Sequence, residues 1–154
     1  MLEIKINNAD KIIATLEQLR DKAIHRGPLM RDIAGTMQTA VVNNFEAGGR
    51  PAWLGVKHRK GTPLNDTGNL KNSIQQSYDD DSAVVGTNEP YARIHQFGGV
   101  IKPKKGKYLV FRIGDKWVMT DKVVIPARPF LMLTSQDEED IYDDVQSYFQ
   151  NILK

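Results

Sequence analysis

Long stretches of apolar residues at helical spacing occur only near the two ends of this chain, and that distribution restricts the fold more than any other feature. Near the start, Ile12, Leu16, Leu19 and Ala23, with Ile13 beside them, predict one face of a helix. Asn8 or Asp10 can cap it by accepting from free backbone N–H groups. Gly27-Pro28 stops this helix, and Pro28 suits the first turn of the next, where a backbone N–H has no helical partner anyway. Ile33, Met37, Ala40, Val41, Asn44 and Phe45 mark one face of that second helix, and Gly48-Gly49 ends it. His25 falls at the end of the first helix, where an imidazolium is favoured. Near the other end, a helix is expected from about Ser135 to Lys154. Asp137, Glu138, Glu139 and Asp140 lie at the positive end of its dipole, and Ile141, Val145, Tyr148, Phe149 and Ile152 form its apolar face.

The middle of the chain reads as β-structure. Ser82 to Thr87 can form a strand after an Asp79-Asp80-Asp81 turn, and Tyr108–Ile113 and Lys116–Thr120 flank a Gly114-Asp115 hairpin turn. Val123-Val124-Ile125 extends the sheet until Pro126, and alternating Leu2, Ile4 and Ile6 predict a short opening strand. Helices, then a sheet, then a helix give an α+β fold: two N-terminal helices and a C-terminal helix packed on a small, mostly antiparallel sheet. Residues 48–65 and 98–107 have no periodicity and are expected to project as long loops, the kind that is usually functional or disordered. A chain of 154 residues fits one domain, 1–154, with a core of its own.

Composition narrows the chemistry. The chain has no cysteine, which excludes a disulfide framework, thiolate zinc ligands and a thiol nucleophile. The first residues lack a basic start followed by an apolar stretch, and no apolar run approaches the ~18 residues that span a bilayer, so neither a signal peptide nor a membrane contact is expected. The net charge of +2 does not point to nucleic acid, but its distribution is uneven. Lys57, Arg59 and Lys60, and then Lys102, Lys104 and Lys105, fall in the two loops. Such loops neutralise phosphates in a salt-sensitive, sequence-blind way, or form a solvated or protein-contacting surface.

The catalytic candidates are few. Asp66-Thr67-Gly68 is the triplet of aspartic proteases, in which two aspartates share a proton. It is followed, however, by Asn69-Leu70-Lys71-Asn72-Ser73-Ile74, which reads as a short helix with Asp66 as its cap. His95 could act as a general base, but no serine or acid nearby in sequence completes a triad, and a structural hydrogen-bonding role is the plainer reading. Gly48-Gly49-Arg50 and Gly98-Gly99 lack the spacing of phosphate-binding loops, and no histidine or carboxylate stands at metal-ligand or calcium-loop spacing, so no cofactor or metal is expected.

Three segments, in this order, carry a resemblance. The first runs from Pro63 to Ile74 and contains Asp66, Thr67, Gly68, Leu70 and Ser73. The second runs from Val85 to Gly98 and contains Tyr91, His95, Gln96, Phe97 and Gly98. The third runs from Ile125 to Thr134 and contains Pro126, Arg128, Pro129 and Phe130, followed by an acidic helix start. Together they resemble the phage virion morphogenesis family, which includes the tail completion proteins of P2-like phages and the G-type proteins of Mu-like phages. The resemblance implies a structural protein and not an enzyme. It would complete the tail or join it to the head, as part of a neck or connector ring through which DNA could pass. It would work in the host bacterial cytoplasm and then at the head-tail junction of the virion, with tail and neck proteins and other copies of itself as partners. The residues agree with a shape-holding job: Asp66 as a cap, Tyr91 and Phe97 placed for packing, and Arg128 fixed between two prolines for an ion pair or carbonyl contacts. Each device serves a monomer fold equally well. A basic DNA-binding module of prophage origin and a small hydrolase using Asp66 and His95 are the alternatives.

Overall fold

The structure is a computed structural model and describes residues 3–4 and 9–154. Among the described residues there are five helices: α1 (Ala9–Ile24), α2 (Gly27–Ala47), α3 (Asn69–Asn72), α4 (Ala92–Phe97) and α5 (Ser135–Leu153). Six strands accompany them: β1 (Gln75–Tyr78), β2 (Ala83–Gly86), β3 (Gly99–Ile101), β4 (Leu109–Ile113), β5 (Lys116–Thr120) and β6 (Val123–Ile125). The fold is α+β, as expected, but the strands do not join one sheet. They form three antiparallel pairs, β1–β2, β3–β6 and β4–β5. Of the expected opening strand, Glu3 and Ile4 lie in no strand, while Leu2, Ile6 and the candidate cap Asn8 fall outside the described residues. Asp10 lies within the first turn of α1.

Helix α2 is the centre of the body. One side packs against β1–β2 and the other against α5. Ala40, Val41, Asn44 and Phe45 of its expected face are buried, Pro28 sits in its first turn, and Gly48 ends it in the left-handed conformation. The core joins Val41 and Phe45 to Leu70, Ile74, Ala92 and Phe130, with Trp53 and Leu131 packed around them. Phe45 lies between two aromatic neighbours, edge-on to Trp53 at 5.9 Å and tilted against Phe130 at 5.2 Å.

A polar network runs through this core. The Arg50 guanidinium, just past α2, donates to Asp137 Oδ1 at 3.1 Å and Oδ2 at 2.8 Å, to Asn44 Oδ1 at 2.8 Å and to the Ala40 carbonyl at 2.8 Å. Asn44 in turn donates to the carbonyls of Phe130 and Met132 at 2.8 and 2.9 Å. Asp137 also completes a capping box at the start of α5: Thr134 Oγ1 accepts from the Asp137 N–H, and Asp137 Oδ2 accepts from the Thr134 N–H. Burial by itself raises the Asp137 carboxyl. The bonds from Thr134 and Arg50 outweigh that and hold it below the ordinary carboxylate value. The acidic start of α5 therefore does more than favour a dipole, and the first part of the 48–65 loop is anchored and does not project.

Helix α1 departs from expectation. Its periodicity is real, yet none of its residues is buried, and Ile12 and Leu16 are 48% and 59% exposed. Its contact is with α5, where Tyr148 Oη donates to the carbonyls of Lys22 and His25 at 3.2 and 3.0 Å and the Lys22 ammonium lies 4.6 Å from the Tyr148 ring centroid. This tie holds the helix by its last turn and leaves most of its apolar face uncovered.

Asp66 does not cap α3. The cap position is Gly68, in the left-handed conformation, and no side-chain bond caps the helix. Asp66 is exposed, and its nearest charge is Arg59 at 3.8 Å. Two substitutions separate these roles. Asp137→Ala is expected to cost about 3–5 kcal/mol, because Arg50 loses its buried partner. Asp66→Ala is expected to change stability by less than about 0.5 kcal/mol, as for a surface site. Urea melts of the two variants check this, and equal losses would contradict it.

Candidate functional site

The three segments singled out in the sequence meet. Asp66, Thr67, Gly68 and Leu70 form one wall of a cleft of about 970 Å³. Tyr91, just before α4, and His95 within it also line the cleft, and β6 with Pro126 and Arg128 forms another wall. The first basic loop contributes Lys57, His58 and Arg59 to the lining. Residues from four separate stretches thus share one space.

Arg128 explains how the loop is held. It is buried, and its guanidinium donates to the carbonyls of Leu54 at 2.9 Å and Gly55 at 3.3 Å. Its own N–H donates to the His95 carbonyl at 2.7 Å. The expected carbonyl contacts are present, and no ion pair involves Arg128 among the described residues. Burial, and then the charge of Arg59, lower its pKa from the usual guanidinium value. Arg59 is itself used locally, donating to the carbonyls of Lys60 and Thr62 at 3.3 and 3.0 Å.

Gln96 links α4 to the third segment. Its Oε1 accepts from the N–H groups of both Phe130 and Leu131 at 2.9 Å, and its Nε2 donates to the Leu131 carbonyl at 3.3 Å. Phe130 is fully buried, and the Pro129 carbonyl accepts from the Trp53 indole at 3.2 Å. Gly98 ends α4 at φ 70°, where a Cβ would stand 2.8 Å from the Ala127 nitrogen and 2.9 Å from the Ile125 oxygen. Only glycine lets the chain turn there and approach so closely. Ser73 stands away from the cleft, bonded to the Leu70 carbonyl at 2.7 Å and to Thr87 Oγ1 at 2.6 Å. Phe97 corrects the packing expectation: it is 72% exposed, and Tyr91 is partly exposed with its edge toward the His95 ring at 6.0 Å. The expected 98–107 loop is shorter than predicted, because residues 99–101 form β3 against β6. Lys60, Lys102, Lys104 and Lys105 lie outside the cleft and are exposed. Sequence reasoning missed Trp53 and the pairing roles of Arg50, Asn44 and Asp137.

Asp66 and His95 do line the same cleft, but no hydrogen bond joins them among the described residues. His95 Nδ1 is buried without a partner. Burial, and then the neighbouring Arg128 charge, push its imidazole below the ordinary value. Among the described residues no three His, Cys, Asp or Glu side chains come close enough to hold a metal, and no helix is long and apolar enough to cross a membrane.

The phage virion morphogenesis family model matches residues 7–150. The chain belongs to that family. It is 55% identical over the full length of both chains to the Mu-like prophage FluMu G protein 2 of Haemophilus influenzae. It is 30% identical over 96 residues to the G protein of Escherichia phage Mu, provisionally named for capsid assembly; this match covers 61% of the chain and 51% of that relative. No solved structure matches. Family membership gives the site its context: a protein of virion morphogenesis in which three separate segments build one cleft.

The cleft carries a pH signature. The folded-state pKa of His95 lies below the unfolded value of 6.5, so the unfolded chain takes the proton first. Stability is therefore full above 6.5 and declines as the pH falls through that value. The Asp137 carboxyl is also depressed, and its contribution is lost only as the pH falls below 3.8. His95→Asn should remove the first decline and keep the second. Thermal melts across both ranges check this; an unchanged first decline would assign it elsewhere.

Proposed function

We propose that this chain is a structural component of a tailed phage or prophage that completes the tail or joins it to the head, acting as a single 1–154 domain in a neck or connector ring. The observation that carries this reading is the use made of the polar groups in the three segments that line the cleft. Gln96 and Arg128 spend their side-chain hydrogen bonds on backbone, tying separate stretches of chain into one rigid wall. Groups committed in that way hold a shape and move no proton, which suits a non-enzymatic assembly part. The names of the two relatives, one a prophage protein and one a phage protein, support the same class.

Its partners are then tail and neck proteins and further copies of itself, met in the host bacterial cytoplasm, with DNA passing through the finished ring. The basic loop residues Lys57, Lys60, Lys102, Lys104 and Lys105 are the proposed contact groups on this surface. One observation favours a second reading: Asp66 and His95 share a cleft, as a hydrolase would require. That reading demands turnover of a peptide or ester substrate that Asp66→Ala abolishes.

The structural reading is tested by deleting the gene from an inducible prophage that carries it. Electron microscopy of the lysate should show filled heads and finished tails that remain separate, and supplying the chain in trans should restore virions. Intact virions from the deletion would overturn the proposal.

A further inference from the structure

Among the described elements, the strands of the β4–β5 hairpin make their main contacts with each other. Leu109, Phe111, Ile113 and Val118 lie on one of its faces, half-buried. On the other, Val110 stands opposite Met119, and Arg112 opposite Trp117. Trp117 and Met119 are 73% and 67% exposed. A lone two-stranded hairpin is at best marginal in water, and one with apolar residues on both faces gains stability by being covered.

Charge identifies the cover. Residues 102–122, the hairpin with its approaches, hold seven basic residues against two acidic ones. Apart from Arg112 with Asp115 at the turn, no basic group of this arm is within ion-pair distance of a carboxylate among the described residues. Helix α5 holds six acidic residues and no basic one. Asp137 is occupied by Arg50, Asp144 accepts from Thr36 Oγ1 at 2.6 Å, and Asp140 accepts from Gln136 Nε2 at 3.0 Å. Glu138, Glu139 and Asp143 remain exposed, and Tyr142, 63% exposed, lies beside them on the outer face. Residues 139, 142, 143 and 146 share that face by helical spacing. The cleft is a poorer receptor, because its own lining carries Lys57, Arg59 and Arg128.

We infer that the β4–β5 hairpin is a docking arm whose occupant is the α5 face of a second copy of this chain, with Trp117 and Met119 against Tyr142 and the arm lysines against Glu138, Glu139 and Asp143. Arm and helix are different surfaces, so the contact is head-to-tail and propagates until the rotation closes a ring. The inference deepens the self-association in the proposed function and rests on it.

The chain has no cysteine, so introduced pairs report contacts cleanly. Asp115→Cys at the hairpin turn and Gln146→Cys on α5 are placed in one full-length chain and oxidised. The double variant should give a ladder of multimers, whereas each single variant stops at a dimer. Adding Trp117→Ser and Met119→Ser should abolish the ladder while the circular dichroism melt is retained. Glutamate at Lys102, Lys104 and Lys105 should abolish it too, and lysine at Glu138, Glu139 and Asp143 in the same chain should restore it. Absence of the ladder, or a ladder indifferent to Trp117 and Met119, overturns the arm. A duplex-DNA mobility shift that needs the three lysines while the ladder does not makes the arm a nucleic-acid contact, and also overturns it. The ladder is read on pure protein and head-tail joining in lysates. A missing ladder where joining still needs the chain therefore defeats the arm alone, whereas a ladder from a chain whose deletion leaves virions intact supports the arm and defeats the junction role.

Discussion

The bidentate pairing of Arg50 with Asp137 sets the positions of the parts around it. An arginine and a carboxylate withdrawn from water are worth little net stability, since desolvation offsets most of their attraction. Their value lies in geometry. Arg50 is satisfied only when α2, the start of α5 and Asn44 all stand in one arrangement, and any other packing strands a charge. Asn44 then passes the constraint to the carbonyls of residues 130 and 132, and this segment continues into the wall that holds Arg128. The cleft inherits its shape from an ion pair that does not line it.

Local patterns and long-range ones were unequally legible. Helices α2 and α5 and the β4–β5 hairpin were readable because a period and a turn residue specify them within a few positions. Strand β1 was missed because Gln75-Gln76-Ser77-Tyr78 is exposed throughout and carries no alternation. Strand β3, three residues in a glycine- and lysine-rich stretch, exists only because β6 pairs with it. The periodicity of α1 specified a helix but not a partner, and most of that face is uncovered. The Asp66 reading failed because a cap rule was applied to a helix that starts later and lasts one turn.

The candidate site divides in the same way. The three segments were visible as segments, but their convergence on one cleft was not, because convergence belongs to the tertiary fold. Arg50 and Asp137 are 87 residues apart, a separation that no window detects. Two local signals did point toward the network. Asn44 was an amide in an otherwise apolar face, and a polar residue there needs buried partners. Thr134 followed three residues later by Asp137 has the spacing of a capping box.

Gln96 has a further effect, on the path of the chain. Its Oε1 accepts from the N–H groups of both Phe130 and Leu131, so two successive donors point to the same side. In a strand they would point to opposite sides. The amide therefore holds a bend at residue 131, and the chain leaves β6 toward the start of α5 instead of running on as a longer strand.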